Sequence, residues 1–91
     1  MPATIEEIEK ALSVSRGLKG PAAQSLGVTW QAVHNRVKKS ERLQKHLQQL
    51  REDSLDYVEG KLFENIDEGN TSSIIFYLKC QGKSRGYVER V

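Results

Sequence analysis

The sequence predicts an all-α chain: a helix-turn-helix in residues 1–40, a helical hairpin in 41–82 and a short tail in 83–91. Three observations carry that expectation. Thr4 and Glu7 stand three residues apart at the head of an apolar repeat with helical spacing. Two short runs flank Gly27, one opened by Gly20-Pro21 and the next by Thr29. From Leu43 to Ile66, apolar residues recur at steps of three and four with a single step of five.

The elements follow in order. In the first helix the Thr4 hydroxyl and Glu7 carboxylate can each satisfy an orphan backbone group. Ile5, Ile8 and Leu12 recur behind them beside Ala11, and Gly17 ends the run. The second helix is short, because Pro21 suits a first helical position and Gly27 closes the segment Ala22-Ala23-Gln24-Ser25-Leu26. Thr29 is placed to cap a third helix through about Lys39.

A polar-rich helix then covers Glu41 to Asp67, striped by Leu43, Leu47, Leu50, Leu55, Val58, Leu62 and Ile66. The five-residue step from Leu50 to Leu55 predicts a bend or short break. Gly69-Asn70 is a stop, and Thr71 can cap a last helix through about Gln81. The run Ser-Ser-Ile-Ile-Phe-Tyr-Leu also fits a short strand, being β-branched and aromatic.

Composition narrows the class of function. A chain of 91 residues buries a limited core, so oligomerisation is the expected source of extra stability. Cys80 is the single cysteine, which suits a reducing cytoplasm and leaves no disulfide within the chain. With His34 and His46 it makes no zinc set, so no metal and no cofactor are expected. MPATIEEIEK lacks a basic stretch followed by an apolar one, so no secretory leader is expected. The longest apolar run, Ile74 to Leu78, is far too short to cross a bilayer, so no membrane partner is expected. Phosphate-binding loops, nucleophile elbows and H-E-x-x-H are missing, which argues against an enzyme.

Net charge is only +2, yet it is segregated along the chain. Residues 16–51 hold Arg16, Lys19, Arg36, Lys38, Lys39, Arg42, Lys45 and Arg51 against Glu41 alone. Residues 52–70 reverse the sign, with Lys61 alone against seven carboxylates. A basic segment of this kind suits a polyanion.

The window Pro21 to Val37 says which polyanion. A helix-turn-helix needs a small residue where its helices touch, a residue tolerant of positive φ at the corner, and inward apolar plugs. Ala23, Gly27 and the set Leu26, Val28, Val33 and Val37 meet these needs in order. The third helix would then enter the major groove of double-stranded DNA. Its outward face holds Gln31, Asn35 and Lys38, with His34 at the edge. Gln and Asn make bidentate contacts to adenine. Lys38 and Lys39 end the helix, where they can reach phosphates, as can Arg16 and Lys19 before the second helix. Trp30 sits about 60° of helical turn from Val33, and both core-edge packing and DNA contact fit that position.

The order of motifs resembles a known family. Ala22-Ala23-x-x-Leu26-Gly27-Val28-Thr29 is followed by a charged helix and by Asp67-Glu68-Gly69-Asn70. Ile75-Phe76-Tyr77-Leu78-Lys79 and Gly82-Lys83-x-Arg85-Gly86-Tyr87 close the chain. This sequence resembles the small terminase subunits of tailed bacteriophages and prophages. The resemblance implies a non-catalytic DNA-recognition component of a viral genome-packaging motor, acting in the bacterial host cytoplasm. It implies DNA binding through Gln31, His34, Asn35 and Lys38, and a homo-oligomeric ring built by the helices of about 41–81. The ring interface would draw on Leu55, Val58, Leu62, Phe63, Ile66, Ile74, Ile75 and Leu78, unless that stripe only closes a monomer core. A large terminase subunit is the further partner implied, with no residue here matched to that contact.

Two other readings use the same residues. A small transcriptional regulator or transposase-type DNA-binding module would act as a dimer on a palindromic site. A helical scaffold would instead use the basic segment to bind an acidic protein.

Overall fold

The computed structural model describes residues 3–88, and among them every regular element is helical. The order is α1 (Ile5–Val14), α2 (Lys19–Leu26), α3 (Trp30–Lys39), α4 (Glu41–Asp67) and α5 (Thr71–Gln81), then a 3₁₀ turn at Lys83–Arg85. The last three residues of the expected tail lie outside the described residues.

Local chemistry explains where each helix starts and stops. At α1, the Glu7 N–H donates to Thr4 Oγ1 at 3.1 Å, and the Thr4 N–H donates back to Glu7 Oε1 at 3.4 Å. Two residues in the left-handed region close the helix, Gly17 at φ +88° as the sequence predicts and Arg16 before it. Arg16 is at φ +58°, and the Gly17 N–H reaches back to the Leu12 carbonyl at 2.8 Å. α2 begins earlier than expected, so Pro21 is its third residue rather than its first. That costs no hydrogen bond, because the first four helical N–H groups have no intrahelical acceptor. Gly27, at φ +69° and ψ 29°, ends α2 while the Val28 N–H bonds the Ala23 carbonyl at 3.0 Å. Thr29 caps α3 by accepting from the Ala32 N–H at 3.1 Å.

Packing divides the chain into two compact units, with the division inside α4 between Leu55 and Asp56. The sequence predicts a boundary at 40/41 instead. Leu43 and Leu47, one turn apart near the start of α4, explain the difference. Both are buried with Ile8, Leu12, Ala22, Ala23, Val33 and Val37 in one core. Leu26, Val28 and Leu50 are partly buried against it. Polar contacts reinforce the seam. Arg42 grips Glu9 with two parallel hydrogen bonds, Nε to Oε2 at 3.0 Å and Nη2 to Oε1 at 2.6 Å. Gln44 Nε2 donates to the carbonyls of Val37 and Lys38 at 3.1 and 2.9 Å. His46 Nε2 lies 2.9 Å from Ser13 Oγ and 3.1 Å from the Glu9 carbonyl. The Arg42 hydrogen bond, helped by its charge and that of His46, holds the Glu9 carboxyl below its ordinary range.

The slip between Leu50 and Leu55 produces no break, since α4 is helical throughout. It marks a change of surroundings instead: Leu50 still leans on the N-terminal core, while Leu55 is exposed.

The second unit holds the rest of α4, α5 and the 3₁₀ turn. Gly69, at φ +82°, closes α4, and the Asn70 N–H bonds the Asn65 carbonyl at 3.0 Å. Asn70, not Thr71, then caps α5, its Oδ1 accepting from the Ser73 N–H at 2.8 Å. With a stop and a cap on adjacent residues, the Ile-Ile-Phe-Tyr-Leu run enters a helix and not a strand. No side chain described in this unit is fully buried; its one buried residue is Gly82. Leu62, Ile66, Ile74 and Leu78 are half-buried, and the Phe63 and Tyr77 rings meet at 5.6 Å.

Candidate nucleic-acid interface

The first candidate surface is built on α3. Val33 and Val37 are buried, which fixes the rotation of the helix about its axis. Two residues either side of Val33 on the opposite face, Gln31 and Asn35 are exposed, as are Lys38 and Lys39 in the last turn. Gln31 Nε2 donates to Asn35 Oδ1 at 3.0 Å. That bond aligns the two amides one turn apart. It leaves the Gln31 carbonyl oxygen as an acceptor and the Asn35 amide nitrogen as a donor on two exposed residues.

The connection from α1 to α2 contributes the neighbouring cations. Arg16 is exposed in the left-handed turn before α2, and Lys19 is the first residue of that helix. Lys19 does not extend freely into solvent. Its Nζ lies 3.0 Å from His34 Nδ1 and 5.7 Å from the centre of the Trp30 ring. Trp30 and His34 stack with ring centroids 4.6 Å apart and planes 12° from parallel. Burial chiefly, then the charges of Lys19 and Lys38, push the His34 pKa below its usual value.

Of the sequence-predicted residues, Lys19, Trp30 and His34 therefore form one stack, and Gln31 and Asn35 form a second pair. Lys38 and Lys39 stand at the other end of α3, and Arg16 lies in the loop. Trp30 is 48% exposed, so it packs at the edge of the unit without entering its core. Arg36, which carries no assigned role in the sequence reading, donates from Nη1 to the Ala3 carbonyl at 2.9 Å and ties α3 to the start of the chain. The Lys19–His34 pairing spans fifteen residues with no motif to announce it, so only the fold brings it into view.

The second candidate surface lies on residues 56–88; Leu55, expected to join it, ends the first unit. Of the eight apolar residues singled out, Leu62, Ile66, Ile74 and Leu78 are half-buried, whereas Leu55, Val58, Phe63 and Ile75 are exposed. Tyr57, Phe76, Tyr87 and Val88 add exposed apolar area that the sequence reading passed over. Glu59, Leu62, Phe63, Phe76, Tyr77, Cys80 and Gln81 line an open cleft of about 440 Å³. Among the described residues, no group of three or more His, Cys, Asp or Glu side chains is arranged to hold a metal ion. No helix among them is long and apolar enough to cross a membrane. The chain matches no protein-family model, no curated protein and no solved structure.

Proposed function

We propose that this chain is a non-catalytic DNA-recognition protein: α2, the Gly27 corner and α3 act as a helix-turn-helix, and residues 55–88 assemble copies into a ring. In this reading α3 lies in the major groove, Gln31 and Asn35 read base edges, and His34 and Trp30 flank them. Lys38, Lys39, Arg16 and Lys19 meet phosphates. The observation that carries the proposal is the division of α3 into a buried Val33/Val37 face and an exposed, paired-amide face ending in two lysines. Assembly is supported by the second unit, whose apolar side chains find no complete cover among the described residues. Together with the motif order described above, these features support a role like that of a small terminase subunit, with a large packaging subunit as a further partner.

Competition binding of fluorescent duplexes at two salt concentrations tests the DNA arm. Gln31→Ala with Asn35→Ala should cost about 1–3 kcal/mol of discrimination between duplexes. Lys38→Ala should weaken all duplexes alike and lower the salt slope by about 1. Absence of duplex binding at low salt would overturn the proposal in favour of a protein-binding scaffold. Light scattering tests assembly: a higher cyclic mass supports packaging, and a dimer on a palindromic site supports a regulator instead.

A further inference from the structure

The Lys19–Trp30–His34 stack determines more than the position of an imidazole. A lysine ammonium has three donors and no acceptor. At 3.0 Å from Lys19 Nζ, His34 Nδ1 must therefore present a lone pair. A neutral imidazole carries its one proton on the other nitrogen, so that proton is on Nε2. The ring cannot escape this assignment by turning over, because the ammonium would then face a C–H edge and lose its acceptor. Stacking on Trp30 holds the ring plane while Lys19 holds its direction. Lys19 from α2 and Lys38 on the same helix disfavour the imidazolium, whose second N–H would oppose the ammonium directly. Nε2 is the ring nitrogen remote from the helix backbone; Lys19 engages Nδ1 and Trp30 the ring face.

We infer that Lys19 is a positioning residue that locks His34 as its Nε2–H tautomer, and that His34 then acts as a one-way reader, donating to an acceptor on a base edge. This rests on α3 occupying the major groove, as proposed above. The base atoms that fit are purine N7, guanine O6 and thymine O4; the amino groups of cytosine N4 and adenine N6 are themselves donors and are refused. The stack thus excludes as well as selects. A histidine free to exchange its proton between nitrogens would accept from an amino group as readily as donate to a carbonyl.

The test has one arm without DNA and one with it. Long-range ¹H–¹⁵N NMR of the full chain at neutral pH reads the imidazole nitrogens directly. His34 should show a protonated Nε2 and an unprotonated, hydrogen-bonded Nδ1. Lys19→Met should remove the Nδ1 hydrogen-bond shift and raise the His34 pKa, whereas Lys19→Arg, also a pure donor, should restore the wild-type signature. A protonated Nδ1, or nitrogen shifts indifferent to Lys19→Met, would overturn the inference whatever the chain binds. In the second arm, duplexes randomised over two helical turns are selected by each protein and sequenced. His34→Ala should lose about fivefold of discrimination at one base pair, the loss expected for one hydrogen bond, and Lys19→Met should weaken the same position. Lys19→Arg should retain it. If wild type selects a sequence and His34→Ala selects it equally well, base reading by His34 is refuted while duplex binding stands. If wild type enriches no sequence although the NMR signature is present, the base-reading role fails; if it also retains no duplex at low salt, the DNA-binding reading fails with it.

Discussion

Replacing Gly27 by alanine isolates one physical term. Gly27 sits at φ +69° and ψ 29°, a left-handed conformation, and a β-carbon built there meets no atom within 4 Å. The substitution therefore adds backbone strain without a clash. An L-residue in this region costs about 1–2 kcal/mol, and the smaller entropy of the unfolded alanine chain returns about 0.4–1 of it. The expected net loss is about 1 kcal/mol, near a fivefold change in the folding constant. Gly27→Asn should lose less, because asparagine tolerates the left-handed region. Gly17→Ala should lose more. Gly17 shares the constraint at φ +88°, and its added β-carbon would lie 3.2 Å from Leu47 Cδ1, so that buried side chain must also shift. Urea denaturation at one fixed protein concentration, followed by far-UV circular dichroism and Trp30 fluorescence, gives the ranking directly. Fixed concentration matters because any assembly adds its own stabilisation. Wild-type stability in Gly27→Ala, or an asparagine variant weaker than the alanine one, would refute the assignment of a strained corner.

Three further outcomes follow from the packing and charge contacts of the chain. Leu43→Ala removes a wholly buried side chain from the seam between α4 and the N-terminal helices and should cost about 2–5 kcal/mol in urea titration. Leu55→Ala, exposed in the single chain, should stay within about 0.5 kcal/mol when measured at a concentration where the chain is monomeric. Glu9 has a lowered pKa in the folded chain, so between that value and its ordinary one the unfolded state binds more protons. The stability from its Arg42 clasp is thus complete above the ordinary carboxylate pKa of 4.5 and lost as pH falls through the lowered one; Glu9→Gln should flatten that acid limb in a pH series of melts. Val58→Asp with Ile75→Asp should reduce the molar mass measured by light scattering while the helical circular dichroism of the N-terminal unit persists, and an unchanged mass would remove these residues from the interface.

The local elements were largely legible because their causes are local. Thr4 with Glu7, Gly27 and Thr29 act within four residues of themselves, and each occupies the cap or corner its chemistry suits. Errors arose where two neighbours compete for one role. Arg16 shares the left-handed turn after α1 with Gly17, and Asn70 rather than Thr71 caps α5. In both places adjacent residues carry suitable chemistry, and the exact register depends on packing downstream. The choice of helix over strand for residues 71–81 was open for a related reason. β-branched and aromatic side chains fit both states, and the stop-and-cap pair at Gly69-Asn70 tips the balance.

The sequence alone determined the helical content, the rotation of α3 that buries Val33 and Val37, and the chemical kinds of its outward residues. Periodicity and capping encode all three, and both are read from near neighbours. Only the tertiary structure decided that the first turns of α4 belong with α1–α3, and that Lys19 comes to rest on His34 and Trp30. Leu43 and Leu47 look the same in the sequence as Leu55 and Leu62, because an apolar stripe specifies a face but not what covers it. A side chain's partner across thirty residues is chosen by the angle at which helices cross, and no local pattern records that angle.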